Sequence, residues 1–94
     1  MAKIAIKRDG TKEPFDPAKI KQSVEFAVRN SGNSIWQVEE VVSRVSSVAM
    51  ALADKEENEI ETSKMAKAIF KELEKIAPSA ALLWKRYEDQ KNRK

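Results

Sequence analysis

The sequence contains no cysteine and no histidine. The first absence excludes disulfides, zinc ribbons and thiol chemistry; the second excludes every histidine-based triad and imidazole metal site. Among the remaining residues no base–nucleophile set stands out, so neither a catalytic set nor a metal site is expected. A chain without cysteine fits a reducing compartment, and a cytoplasmic location is expected. Glycine is nearly as scarce: Gly10 and Gly32 are the only two in 94 residues. There is no Gly-x-x-x-x-Gly-Lys run, which excludes a hydrolysing P-loop. Long apolar runs are missing too, so no membrane-spanning helix is expected. Met1-Ala2-Lys3-Ile4 lacks the apolar core of a signal peptide.

What is present is charge and pattern. Charged residues make up 35% of the chain with both signs interspersed, and the net charge is +3. That balance suits a solvated surface and permits an anionic ligand. It points away from nucleic acid as a partner, for which a more strongly basic face is expected. The length is that of one domain, with a modest core and little room for a deep catalytic cavity.

Lys3 to Lys7 roughly alternates, with Ile4 and Ile6 on one face, and reads as a short strand. Asp9-Gly10 is a strong hairpin signal, and Glu13-Pro14-Phe15 is the returning, edge-like strand. Asp16-Pro17 reads as an N-cap followed by proline at the first helical position. Ile20, Val24, Ala27 and Val28 then recur at helical spacing, up to Gly32, which suits a left-handed cap. Ser34 can cap a second helix whose apolar stripe runs from Trp36, a core or partner-contact position, through Val38, Val41, Val42, Val45, Val48 and Ala49 to Leu52. Ala53 to Asn58 reads as an acidic connector. Thr62 or Ser63 can cap a third helix carrying Met65, Ile69, Phe70, Leu73 and Ile76. Pro78-Ser79 restarts the chain into a fourth, with Leu82, Leu83, Trp84 and Tyr87. The expected fold is α+β and mostly α, a small N-terminal β-hairpin or sheet capping a four-helix bundle. Residues 1–94 form a single domain, with the hairpin at about 3–15 and helices at about 17–30, 35–53, 63–76 and 79–91.

Lys7 and Arg8 sit beside the hairpin turn, and Lys19 follows a helix N-terminus. Cations and a positive dipole end converging in this way suit a polyphosphate. On the residues alone, however, Lys7-Arg8-Asp9-Gly10 fits an ordinary solvated turn more readily, and Asp16-Pro17 a simple cap. Trp84 and Tyr87, at helical spacing, fit core positions before base-stacking ones.

Taken together, Lys7-Arg8-Asp9-Gly10, Glu13-Pro14-Phe15-Asp16 and Lys19-Ile20 resemble the signature of the ATP-cone family. Its modules are found at the N-termini of ribonucleotide reductases and in the bacterial repressor of their genes. The resemblance implies binding of ATP or dATP, with Mg2+, under the hairpin. It places Lys7, Arg8 and Lys19 near phosphates, and Glu13 and Asp16 near base or ribose. Asp9 and Gly10 form the turn of the signature, and Thr62 approaches the nucleotide from a helix start. Lys85, following Trp84, matches the family's late aromatic-basic pair, although Arg86-Tyr87 fits it equally. Ala5 stands where the family usually has a larger β-branched residue. This leaves Ile4, Ile6 and Ile20 as apolar candidates near the base. The implied role is a regulatory switch of conformation or oligomerisation, with self-association or a reductase-type host as partner and no membrane. The alternatives are a nucleic-acid-binding or plain interaction domain using the basic C-terminal helix.

Overall fold

The computed structural model describes residues 2–91. Three short strands and four helices follow one another as β1 (Ile4–Ile6), β2 (Lys12–Pro14), α1 (Pro17–Asn30), α2 (Ile35–Lys55), β3 (Glu59–Glu61), α3 (Thr62–Ile76) and α4 (Pro78–Lys91). The mostly α, α+β architecture expected from the sequence is the one observed.

The sheet has the order β2-β1-β3. β1 pairs antiparallel with β2, setting Ala5 opposite Glu13, and parallel with β3, setting Ala5 beside Ile60. Pro14 ends an edge strand, where its missing N–H costs no ladder bond. The hairpin turn has three residues. Lys7 N–H donates to the Thr11 carbonyl at 2.8 Å, and Gly10 is the only turn residue with positive φ, at 88°. A two-residue type I′ turn would need both central residues there; a turn closed by a left-handed glycine needs only one.

The expected acidic connector is shorter than the sequence suggests: Ala53 to Lys55 continue α2, and β3 begins directly after Asn58. The β3 pattern is short and its outer residues are glutamates, but Ile60 between them is only 2% exposed and joins the core. β1 supplies its partner, and Lys12 answers Glu59 at 2.7 Å.

The core follows helical spacing: Val24, Ala27 and Val28 on α1; Val38, Val41, Val42, Val45, Ala49 and Ala53 on α2; Met65, Ile69 and Leu73 on α3; and Ala80, Ala81 and Trp84 on α4. A fully buried side chain such as Ile69 or Leu73 contributes roughly 1.5–3 kcal/mol. The valine-rich stripe of α2 holds as a helix because packing outweighs its weak intrinsic propensity. Trp36 does not belong to that stripe. It is 78% exposed. Two helical positions turn the chain by about 200°, so inward-facing Val38 sends Trp36 outward. Ser34 caps α2 in a reciprocal box with Gln37, and Gly32, at φ 85°, follows the C-cap Ser31 of α1.

Candidate functional site

The sheet, the first turns of α1 and α3, and α4 enclose a cavity of about 450 Å³. Ala5, Ile60, Met65, Ile69 and Trp84 line it and are each buried, giving it an apolar floor. Lys7, Arg8, Asp16 and Lys19 line it and are exposed, giving it a charged mouth. Small-molecule sites commonly pair an apolar lining with a few convergent polar groups.

Strand alternation decides which hairpin residues face inward. Successive side chains point to opposite faces. Ala5 and Lys7 therefore share the cavity face with Glu13, the cross-strand partner of Ala5. Ile4 and Ile6 take the other face and do not line the cavity, which corrects the expectation that they lie near a bound base. Ile20 does line it, one helical position beyond Lys19. The small Ala5 lies beside Ile60 in the sheet, and both line the cavity.

The two helix starts differ. At α1, Asp16 Oδ1 accepts from Ala18 N–H at 3.0 Å, its carbonyl accepts from Lys19 N–H at 3.2 Å, and Pro17 has no N–H. The first donors of α1 are thus absent or engaged, so this end contributes its dipole and the Lys19 ammonium. At α3, Glu61 occupies the N-cap position and makes no side-chain cap bond. Thr62 and Ser63 are the first helical residues, not caps, because β3 runs into α3 without a connecting residue. Both line the cavity. A helix start without a side-chain acceptor is suited to an external anion.

Lys7 Nζ lies 3.5 Å from Glu13 Oε2, both half-exposed; such a pair is worth about 0–1 kcal/mol. Among the described residues, Arg8 and Lys19 are in no ion pair. Asp9 is absorbed by the turn: its Oδ1 accepts from Thr11 N–H at 2.9 Å. The Thr11 side chain and then this backbone bond, helped by nearby Lys7, hold the exposed carboxyl below its ordinary range.

The cavity therefore brings together Lys7, Arg8, Glu13, Asp16, Lys19, Ile20 and Thr62. It does not include Asp9, Gly10 or Lys85. Lys85 Nζ sits 5.5 Å from the centre of the Phe70 ring, beside a separate, more open depression on α4 that it lines with Leu82, Arg86, Asp89 and Gln90. Sequence reasoning passed over Ser23, Ser63 and Glu88. Their residue types are common on helices, and only the meeting of α1, α3 and α4 brings them to one cavity. Of the basic C-terminal run, Arg93 and Lys94 lie outside the described residues.

A charged hairpin over a cavity between helix starts defines a small α+β module with a candidate ligand site. The chain belongs to the ATP-cone family of nucleotide-binding regulatory modules, with the ATP cone domain spanning residues 3–90. It is similar to the Transcriptional repressor NrdR of Methylibium petroleiphilum, 34% identical over 71 residues, which cover 76% of this chain and 46% of that protein. It is also similar to the Transcriptional repressor NrdR of Bordetella petrii, 29% identical over 85 residues, covering 89% of this chain and 54% of that protein. The chain thus spans about half the length of the curated relatives it matches. Their name corrects the expectation that nucleic acid is not a partner. Net charge averages over one segment and does not report on what a repressor-type protein contacts as a whole.

Proposed function

We propose that the cavity binds ATP or dATP and that occupancy regulates the conformation or association of a repressor-type or reductase-type host. The observation that carries this reading is convergence: Lys7, Arg8, Lys19 and the α3 start with no side-chain cap surround one apolar-floored cavity. The phosphates would lie at the mouth against the cations and the α3 start. The base would lie inward, against Ala5, Ile60 and Ile20. Glu13 and Asp16 accept hydrogen bonds, which suits ribose hydroxyls or an exocyclic amine. Magnesium, a hard cation that keeps most of its waters, would accompany the phosphates.

Bound nucleotide would be sensed and not consumed. Regulation then requires unequal affinity for two arrangements of the protein. The transcriptional-repressor relatives support a host that acts on nucleic acid and a cytoplasmic location. Amide chemical shifts of the labelled protein test the placement. ATP should move the signals of Lys7, Arg8, Lys19, Thr62 and Ser63. Changes confined to Leu82, Arg86 and Asp89 on the outer face of α4 would contradict it.

A further inference from the structure

Ser23 reaches the cavity from α1, one turn beyond Lys19 and Ile20. Its hydroxyl is already engaged. Oγ donates to the Ile20 carbonyl at 2.9 Å and accepts from Trp84 Nε1 at 3.2 Å. A serine has one hydroxyl proton to give, so Ser23 has none left for a ligand. The bond from Trp84 also joins residues 61 positions apart, linking α1 to α4 at the cavity wall. Three residues further along both helices, the Phe26 and Tyr87 rings meet with centroids 5.0 Å apart. These two contacts form a seam between the helices.

The seam borders the ligand-facing stripe of α1, formed by Asp16, Lys19, Ile20 and Ser23. Trp84 is only 3% exposed, so it is a wall of the cavity and not an open stacking surface. We propose that Ser23 is a positioning residue that fixes the Trp84 indole, and with it α4, against that stripe, so that occupancy of the cavity is felt at α4 through this bond. The proposal rests on the nucleotide reading above. Phosphates drawn to Lys19 act on the same turn of helix whose Ile20 carbonyl orients the Ser23 hydroxyl. The indole N–H is the group on α4 that this hydroxyl holds.

The test uses the Trp36→Phe protein, in which Trp84 supplies the remaining indole signal. ATP is titrated with calorimetry as one readout and the indole 15N–1H resonance as the other. ATP is expected to shift the resonance. Adding Ser23→Ala should weaken binding roughly five- to tenfold, the scale of one lost hydrogen bond, and abolish the shift at saturation. Ser23→Thr, which keeps the hydroxyl, should restore both. Should Ser23→Ala fail to fold, Trp84→Phe keeps an aromatic, though smaller, side chain without the indole N–H and should show the same loss of affinity and a loss of ATP-induced shifts in the α4 amides. If Ser23→Ala lowers the thermal midpoint but keeps the affinity and the indole response, the role is structural and the proposal is overturned while the site stands. If ATP gives no heat in the Trp36→Phe protein itself, the nucleotide reading fails and takes the proposal with it.

Discussion

Arg8 and Lys19 carry charges that no carboxylate answers among the described residues, and both face the cavity mouth. Removing either should cost binding and spare the fold. Arg8→Ala and Lys19→Ala are each expected to weaken ATP binding by about 1.5–3 kcal/mol, the scale of a charged hydrogen bond. The unfolding free energy of the unliganded protein should change by no more than about 0.5 kcal/mol. Parallel loss of stability and affinity would assign these residues to the fold instead. Asp9 supports a different expectation. Its folded carboxyl is held low by Thr11, so its contribution to the hairpin is present above the ordinary carboxylate range and is lost as pH falls through the lowered folded value. The group is fully exposed, so the change is local. The Thr11 amide shift should titrate with a midpoint below that of aspartate in an unfolded peptide, and Asp9→Asn should abolish the titration. A midpoint in the ordinary range would mean that the hydrogen bond does not persist in solution.

At the scale of elements, α2 and α3 begin in opposite ways. The reciprocal Ser34–Gln37 box closes the start of α2, and Ser34→Ala should cost roughly 0.5–2 kcal/mol in denaturant unfolding. The start of α3 has no side-chain cap, and it faces the cavity. Glu61→Asp, which places a shorter carboxylate at the N-cap, should therefore raise stability by a similar amount while weakening nucleotide binding, because the side chain would take donors meant for phosphate. A gain in both would show that those donors are not part of the site. The hairpin, the capped start of α1 and the core stripes of α1 and α3 were legible in the sequence because each is a local pattern. β3 was not: three residues, two of them glutamates, become a strand only because β1 is there to pair with Ile60 and its neighbours. The inward role of Ala5 was obscured by the larger Ile4 and Ile6, although alternation assigns them to the opposite face. Trp36 reads as core or as a partner contact, and only the core alternative fails: about 200° from inward-facing Val38, it takes the outer face. Asp16 reads as a cap and as a site residue; its carboxylate accepts from Ala18, as a cap does, and it lines the cavity mouth.

For the whole molecule, the core and the cavity share residues. Ile60, Met65, Ile69 and Trp84 are both interior packing and cavity lining. A ligand seated there contacts the sheet, α1, α3 and α4 together and so should favour the native state as a unit. At a hundredfold excess over Kd, nucleotide should add about 2.7 kcal/mol of stability, raising Tm by roughly 10–20 °C in a domain of this size. No phosphate should be released in proportion to protein concentration; steady release would contradict a sensor. Calorimetric titration of the protein with ATP, dATP and GTP at low salt and in the presence of magnesium tests the central claim most directly. Saturable heat from ATP or dATP with Kd in the micromolar range, about −8 kcal/mol, and much weaker binding of GTP is the expected result. No heat from either adenine nucleotide would contradict it.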